Sequence, residues 1–184
     1  MTNQIIATVA PLFLQAAPLE PSAWLRETLA KGLKMALVSE KARSEFIVAP
    51  VLVFISEALE QPVSVYSGVS FNVEPARGLK GVCDFILSKS PPLPTVQAPV
   101  LMMMVEAKKN DVEEGIGQCA AEMVAADIFN RAAGNDTETV YGCVTTGEAW
   151  QFLQLTENRL TIDQSRYFID NTAKILGIMR QILA

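Results

Sequence analysis

The pattern of hydrophobic and polar positions predicts two helices in the first third of the chain. A helix tolerates proline at its first position, so Pro21 favours a helix over residues 21–38. Ser39 is a suitable N-cap for a second helix that runs towards residue 59. Because residues 46–55 are apolar on most sides, we expect this second helix to be buried, although Pro50 lies within it.

The middle of the chain changes to short segments rich in β-branched residues, which predict strands at residues 63–73, 81–87 and 100–105. The turn composition of residues 74–78 joins the first two strands in an antiparallel hairpin. The third strand is apolar on both faces and is expected at the centre of its sheet. A helix is then predicted at residues 111–132, where apolar residues recur at helical spacing.

The last part of the chain predicts a second hairpin, at residues 139–145 and 149–155, and a final helix at residues 171–183. The resulting order, ααβββαββα, indicates an α/β fold with a mixed central sheet flanked by helices. A chain of 184 residues closes one sizeable core, so we expect a single domain over residues 1–184. Residues 1–38 are expected to form an N-terminal helical extension.

Composition excludes several kinds of catalytic site. The chain contains no histidine, which removes the usual general base near neutral pH, the Ser-His-Asp and Cys-His nucleophile systems, and most zinc sites. Catalysis would have to use carboxylates, lysine, hydroxyls or a hard metal ion. The three cysteines, Cys83, Cys119 and Cys143, are odd in number and lie among apolar residues, so we expect buried free thiols.

Hydropathy and charge restrict the partners. The longest uncharged apolar stretch, residues 46–55, is shorter than the roughly 18–20 residues that cross a bilayer. The N-terminus lacks the positive charge of a secretory signal, and we expect a cytoplasmic protein with no membrane partner. The net charge of −5 argues against indiscriminate nucleic-acid binding. Basic residues nevertheless predominate from Arg26 to Arg43, which is either a local cationic face or an ordinary solvated helix surface.

Charged residues interrupt the two most apolar strands. Glu106 and Lys108 end the strand at residues 100–105 and lie two apart, so they project to the same face. Asp84 interrupts the neighbouring strand in the same way. Two carboxylates beside a lysine are typical of a Mg²⁺ site that hydrolyses phosphodiesters without histidine. The alternative is a local ion pair between Glu106 and Lys108, with Asp84 accepting hydrogen bonds from backbone amides.

These residues resemble the PD-(D/E)XK nuclease superfamily, which has the restriction endonuclease-like fold. Gly81-Val-Cys-Asp84-Phe resembles its first acidic motif and Val105-Glu106-Ala-Lys108-Lys its second. The elements predicted from residue 39 to residue 155 match the αβββαβ core of that family. Residues 141–152 also resemble the strand-turn-strand run of its restriction-enzyme-like members.

The resemblance implies a Mg²⁺-dependent DNA endonuclease, with Mn²⁺ as a possible substitute, that acts as a homodimer. It implies that Asp84, Glu106 and the carbonyl of Ala107 bind the metal and that Lys108 positions or activates the water. It further implies Glu45 as an auxiliary metal ligand and Gln118 as a residue that orients the site. From the residues alone, Glu45 is equally explained by an ion pair with Lys41 or Arg43, and Gln118 as a polar residue near a helix start.

Two other functions compete with the nuclease. Residues 115–120 match the dinucleotide fingerprint G-x-G-x-x-A. Residues 109–114 lie between the end of the preceding strand and these glycines, and the acidic residues among them would repel a phosphate, so the match carries little weight. The stronger rival is a catalytically inactive subunit of the same fold that serves in nucleic-acid binding or protein assembly. Low overall basicity favours that alternative, whereas retention of Asp84, Glu106 and Lys108 opposes it.

Overall fold

The computed structural model describes residues 4–35, 39–106, 111–135 and 137–184. In this part of the chain eight strands form one sheet: β1 (Ile6–Ala10), β2 (Ser64–Glu74), β3 (Leu79–Ser88), β4 (Val100–Glu106), β5 (Thr139–Thr145), β6 (Ala149–Thr156), β7 (Arg159–Asp163) and β8 (Tyr167–Phe168). Seven strands follow the order β1-β7-β6-β5-β4-β3-β2, and β8 pairs with β6. The β1/β7 and β4/β5 pairs are parallel and the others antiparallel, so the sheet is mixed, as predicted.

Helices flank this sheet: α1 (Ala23–Met35), α2 (Glu40–Arg43), α3 (Ala49–Ala58), α4 (Val112–Ala132) and α5 (Thr172–Leu183). Short 3₁₀ turns occupy Pro75–Arg77 and Ile169–Asn171. The predicted helix from Ser39 towards residue 59 is α2 and α3 joined by a π-helical turn, Ser44–Val48. Its N-cap is confirmed, because the Ser39 hydroxyl accepts the amide of Ala42 at 3.1 Å.

The hairpin of β2 and β3 follows from its turn residues. The 3₁₀ turn ends at Gly78, whose φ of 81° lies in the left-handed region that glycine adopts without strain. Tight chain reversal there brings the two strands together in antiparallel register. Gly68 of β2 also has a positive φ, 63°, and the register places it opposite Asp84 of β3.

Two hydrophobic cores lie on the two faces of the sheet. Met102 and Met104 of β4 pack in one core with residues of α1, α3 and α5, and Met103 and Val105 pack in the other with residues of α4. All four side chains are at most 1% exposed. The prediction that this strand is central and buried on both faces is therefore confirmed, and Glu106 is a charged residue at the end of a fully buried strand.

The N-terminal segment differs from the prediction. The expected helical extension over residues 1–38 is wrong in its first part, because Ile6–Ala10 is a strand and the first helix starts only at Ala23. Strand β1 pairs with β7, a partner about 150 residues away that was not predicted either. The short strand β8 was also missed. Neither β1 nor β8 carries a strong local signal, since their neighbours in the sheet determine their conformation.

Two further predictions concern the cysteines and membrane-spanning helices. Cys83, Cys119 and Cys143 are buried free thiols, as expected. No helix within the described ranges is both long enough and apolar enough to cross a membrane.

Candidate functional site

The centre of the candidate site is the point where β3 and β4 separate. Their pairing reaches Phe85 opposite Met104. Asp84 comes one residue before Phe85 in β3, and its Oδ2 atom accepts a hydrogen bond from the backbone amide of Glu106 at 2.8 Å. The Asp84 carboxylate thus accepts the amide hydrogen of Glu106, the last residue of β4, in place of a backbone carbonyl oxygen. Both residues are partly buried, so two carboxyl groups occupy a poorly solvated position at the end of the central strand.

The side chain of Glu106 faces the helical segment that begins at Ser39. Ser44 and the charges of Asp84, Arg43 and Glu40 lie close enough to affect its ionisation. Burial is the main cause that raises the pKa of Glu106 to about 7, and the negative charge of Asp84 adds to it. Ser44 and the Arg43 guanidinium act in the opposite direction, and their effect is smaller than that of burial. Near neutral pH, Glu106 therefore exchanges readily between its neutral and charged forms.

The turn between β5 and β6 fixes Arg43 beside the site. Gly147 in that turn has φ of 86°, and a side chain there would meet Arg43 Cβ at 3.2 Å and Ile47 Cδ1 at 3.4 Å. The close approach packs the stem of Arg43 against the turn. Thr145, the last residue of β5, is paired with Glu106 in the parallel register. Glu106, at the end of β4, therefore lies between the end of β5 and the helical segment that carries Arg43 and Ser44.

A third carboxyl group, Glu122 of α4, lies on the other face of the sheet. Gln118, one helical turn earlier, donates its Nε2–H to Glu122 Oε1 at 3.0 Å. Burial raises the pKa of Glu122 to about 7, with a further contribution from the charge of Asp84. Its Oε2 atom is the buried side-chain oxygen without a hydrogen-bond partner among the described residues. The neighbouring Cys83 thiol interacts with this carboxyl electrostatically, and burial raises the pKa of Cys83 to about 12.

A pocket of about 280 Å³ opens between β3 and α4 beside Glu122. Its polar side chains are Lys80, Gln118 and Glu122, and Phe71 and small residues of α4 form its apolar wall. Cys83, the residue that precedes Asp84, also lines it. The pocket and the Asp84–Glu106 contact are therefore neighbours along β3.

The residues singled out from the sequence separate into four groups, of which Glu45 is the last. Asp84 and Glu106 are brought together by a hydrogen bond from the backbone amide of Glu106 to Asp84, the kind of contact that the alternative to a metal site predicted for Asp84. Gln118 lies on α4 and contacts Glu122, whose carboxyl is coupled electrostatically to Asp84. Lys108 and the carbonyl of Ala107 lie outside the described residues, so their roles remain predictions.

Glu45 lies in the π-helical turn and is more than half exposed. Its carboxylate is 3.8 Å from Lys41 Nζ, the ion pair that the sequence had offered as an alternative to metal binding. The residue next to it, Ser44, lies near Glu106 and lowers its pKa. The role of Glu45 as an auxiliary metal ligand stays a prediction.

Sequence reasoning missed Glu122, Ser44 and Arg43. Glu122 had a detectable signal, because it lies between the core residues Cys119 and Met123 and four residues after Gln118. Ser44 and Arg43 had none, since their proximity to Glu106 depends on how the helical segment packs on the sheet.

The donor atoms suit a hard cation. Within the described ranges, no group of three or more histidine, cysteine, aspartate or glutamate side chains is arranged to hold a metal ion. Mg²⁺, however, commonly uses one or two carboxylates together with water and substrate phosphate, and Asp84 and Glu106 meet that requirement. Without a cation, burial and mutual repulsion disfavour two charged carboxylates here, as the raised pKa of Glu106 indicates. The residues therefore fit Mg²⁺ or Mn²⁺ better than a softer metal.

No protein-family model matches the chain, and a comparison with curated proteins finds no significant match. The function must therefore be inferred from the residues and their geometry.

Proposed function

We propose that the chain is a Mg²⁺-dependent nuclease with the restriction endonuclease-like fold, which hydrolyses phosphodiester bonds with a metal-activated water. The observation that carries this proposal is the contact between Asp84 Oδ2 and the amide of Glu106, at 2.8 Å. It brings two carboxylates from adjacent strands to the end of a buried central strand. Such an arrangement is costly for folding unless it serves a function, and a cation against phosphate is the function that these atoms fit.

In this proposal Asp84 and Glu106 hold the cation, and Ser44, which lowers the pKa of Glu106, helps to keep its carboxylate charged for that role. When bound, Mg²⁺ lowers the pKa of a water molecule and offsets the charge that develops on phosphate oxygens. Lys108 positions the attacking water, as the family resemblance implies. Gln118 is a positioning residue, because its contact is with Glu122 rather than with Asp84 or Glu106.

Local charge supports a polynucleotide as substrate. Arg43 lies beside Glu106, and Lys41, two residues earlier, is 84% exposed. Lys34 is exposed in the last turn of α1, which packs against the same helical segment. These cations are placed to contact the phosphates that flank the bond to be cut, despite a net charge of −5 for the whole chain. DNA is the substrate to test first.

The test is cleavage of plasmid and single-stranded DNA with Mg²⁺ or Mn²⁺. We expect Asp84→Asn, Glu106→Gln and Lys108→Ala each to lower the rate by about 100-fold or more, because each removes several kcal/mol of transition-state stabilisation. Glu60→Gln is the matched control, since Glu60 is exposed in the loop after α3, and it should cut at the wild-type rate.

Calorimetric titration of Mn²⁺ separates loss of metal from loss of chemistry. Asp84→Asn and Glu106→Gln should weaken Mn²⁺ binding, whereas Lys108→Ala should bind Mn²⁺ and fail to cut. DNA binding without any metal-dependent cleavage by the wild-type chain would replace the enzyme with the inactive-subunit alternative. Cleavage that persists in all three variants would show that the site lies elsewhere.

A further inference from the structure

The pocket between β3 and α4 has the size and lining of a ligand site. Its volume of about 280 Å³ is near the lower end of the roughly 300–1000 Å³ that small-molecule pockets occupy. One planar ring fits such a space better than a larger ligand does. Apolar atoms of Phe71, Ala121 and Ala125 face polar groups of Gln118, Glu122 and Lys80. An apolar wall opposite a small set of polar groups is the usual composition of a site for a flat heterocycle.

The polar side of the pocket is held in one orientation. Gln118 Nε2 donates to Glu122 Oε1 at 3.0 Å, which restrains rotation of the Gln118 amide. Gln118 is exposed and lines the pocket, and the bond to Glu122 uses one of its two N–H groups. Glu122 in turn is held by burial and by its contact with Gln118. The pocket therefore presents an acceptor beside a donor on a fixed amide.

An amide with a free acceptor and donor is complementary to the edge of a nucleobase. Glutamine forms paired hydrogen bonds with adenine, accepting from its amino group and donating to a ring nitrogen. Apolar and aromatic side chains provide the surface on which a base packs. Lys80, exposed at the pocket rim, is placed for the phosphate of the same nucleotide. A metal ion suits the pocket less well, because Lys80 and the apolar wall are poor surroundings for a second cation.

We propose that this pocket binds one adenine base of the polynucleotide substrate and thereby selects where the chain is cut. The proposal rests on the proposed nuclease function. It assigns Gln118 to reading the base, Glu122 to fixing the Gln118 amide, and Lys80 to the adjoining phosphate. Because Cys83 in the pocket wall directly precedes Asp84, the base would lie on the α4 side of the sheet, one residue along β3 from the Asp84 carboxylate.

The first experiment does not depend on cleavage. Binding of AMP, CMP, GMP and TMP is measured by calorimetry in EDTA with the wild-type chain and with Ala121→Phe, which fills the pocket from an exposed position of α4. We expect AMP to bind about tenfold or more tightly than TMP, and Ala121→Phe to abolish the binding. Ala30→Phe, at an exposed position of α1, is the control and should bind AMP normally. Thermal unfolding checks that both variants fold.

The second experiment reads the bases at the cut sites by sequencing the products from a random DNA library. We expect adenine to be enriched at one fixed position, and Ala121→Phe to reduce that enrichment whatever its overall rate. Cleavage without base preference, together with no AMP binding, would overturn the pocket proposal and leave the nuclease intact.

AMP binding that Ala121→Phe abolishes, in a chain that cuts nothing, would retain the pocket and reject the nuclease. AMP binding with no base preference at the cut sites would identify a free nucleotide as the ligand and overturn the assignment to substrate. Loss of Mn²⁺ binding in Glu122→Gln would make the pocket a metal site and overturn the proposal as well.

Discussion

Asp84 lies between two other carboxyl groups, Glu106 on one face of the sheet and Glu122 on the other. Its charge raises the pKa of Glu106 on one side and of Glu122 on the other. Burial is the larger cause for both, which means that folding places two carboxyl groups where their charged forms are poorly solvated. Unfolding relieves this unfavourable placement, so the stability of the protein must depend on pH.

Glu122→Gln tests that dependence. The pKa of Glu122 is raised from 4.5 to about 7 in the folded chain, so the unfolded chain loses this proton first as the pH rises. The group therefore stabilises the fold below pH 4.5, and its contribution is lost between pH 4.5 and about pH 7. Glutamine keeps the contact with Gln118 but does not ionise. We expect Glu122→Gln to be more stable than wild type at pH 8 by about 1–3 kcal/mol, with a smaller gain at pH 5.

Urea unfolding at the two pH values measures this difference. Glu114→Gln, at an exposed position of the same helix, is the control and should change stability little at either pH. An equal gain for Glu122→Gln at pH 5 and pH 8 would mean that packing, rather than ionisation, accounts for the effect.

The sequence predicted part of this site because two of its residues break local patterns. Asp84 and Glu106 are charges within or at the end of apolar strands, and adjacent strands bring such residues together. Glu122 belongs to the same electrostatic cluster but comes from a helix. Its position relative to Asp84 depends on the rotation of α4 over β3, which no spacing in the sequence determines. The same holds for Ser44 and its proximity to Glu106.

At the level of elements, the helical segment from residue 40 to residue 58 is shaped by a proline. Pro50 has no N–H, so the carbonyl of Phe46 lacks its usual donor four residues later. The turn before it is π-helical, with the amide of Ala49 donating to the carbonyl of Ser44. Helix α1 approaches this irregular turn at Gly32, where a side-chain carbon would lie 2.1 Å from the Phe46 oxygen. Only glycine fits there, so the packing of α1 on the segment that carries Arg43 and Ser44 depends on it.

Gly32→Ala and Gly117→Ala form a matched pair of substitutions. Both glycines are inside helices, but a side-chain carbon at Gly117 meets nothing within 4 Å. We expect Gly32→Ala to lower the free energy of unfolding by about 1–3 kcal/mol, because the helices must separate to admit the methyl group. Gly117→Ala should raise it by about 0.5–1 kcal/mol through helix propensity. Chemical denaturation measures both, and a stabilising effect of Gly32→Ala would contradict the close contact.

Local patterns predicted the elements with strong periodicity or clear turn chemistry. The helix at residues 111–132, the buried strand β4 and the hairpin that turns at Gly78 all belong to this group. The π-helical turn was not predicted, although Pro50 had been noted. A proline indicates that a helix must adjust, but the packing against Gly32 decides which adjustment occurs.

At the scale of the whole molecule, the two ends of the chain are joined. Strand β1 pairs in parallel with β7. In the segment that follows it, Phe13 and Ala16 pack in the same core as apolar residues of α5. Lys174 of α5 donates to the carbonyls of Phe13 at 2.8 Å, Leu14 at 3.1 Å and Ala16 at 2.8 Å. Asp163 at the end of β7 is buried and accepts the amide of Leu12 at 3.2 Å. These contacts join segments about 150 residues apart, and for that reason no local pattern predicted them.

Lys174→Met tests how much the hydrogen bonds between Lys174 and the N-terminal segment contribute to the stability of the fold. Methionine preserves much of the aliphatic stem but removes the ammonium donor from three backbone carbonyls. Because a charged donor stabilises its acceptors more than a neutral one does, we expect the free energy of unfolding to fall by about 1–3 kcal/mol. The loss should be local as well as global, with faster amide exchange in residues 12–19, since Phe13 is only 3% exposed and leaves the core if this segment detaches.

Lys89→Met is the control for the change of charge. Its Nζ donates to a single carbonyl, that of Ala184 at the end of the chain, in an exposed setting at 2.8 Å. The contact is exposed and involves one carbonyl, so the substitution should change stability by less than about 0.5 kcal/mol. If both lysine variants were equally stable and amide exchange in residues 12–19 were unchanged, the N-terminal segment would be held by its apolar side chains alone. A large effect confined to Lys174→Met would instead establish that one cation holds the two ends of the fold together.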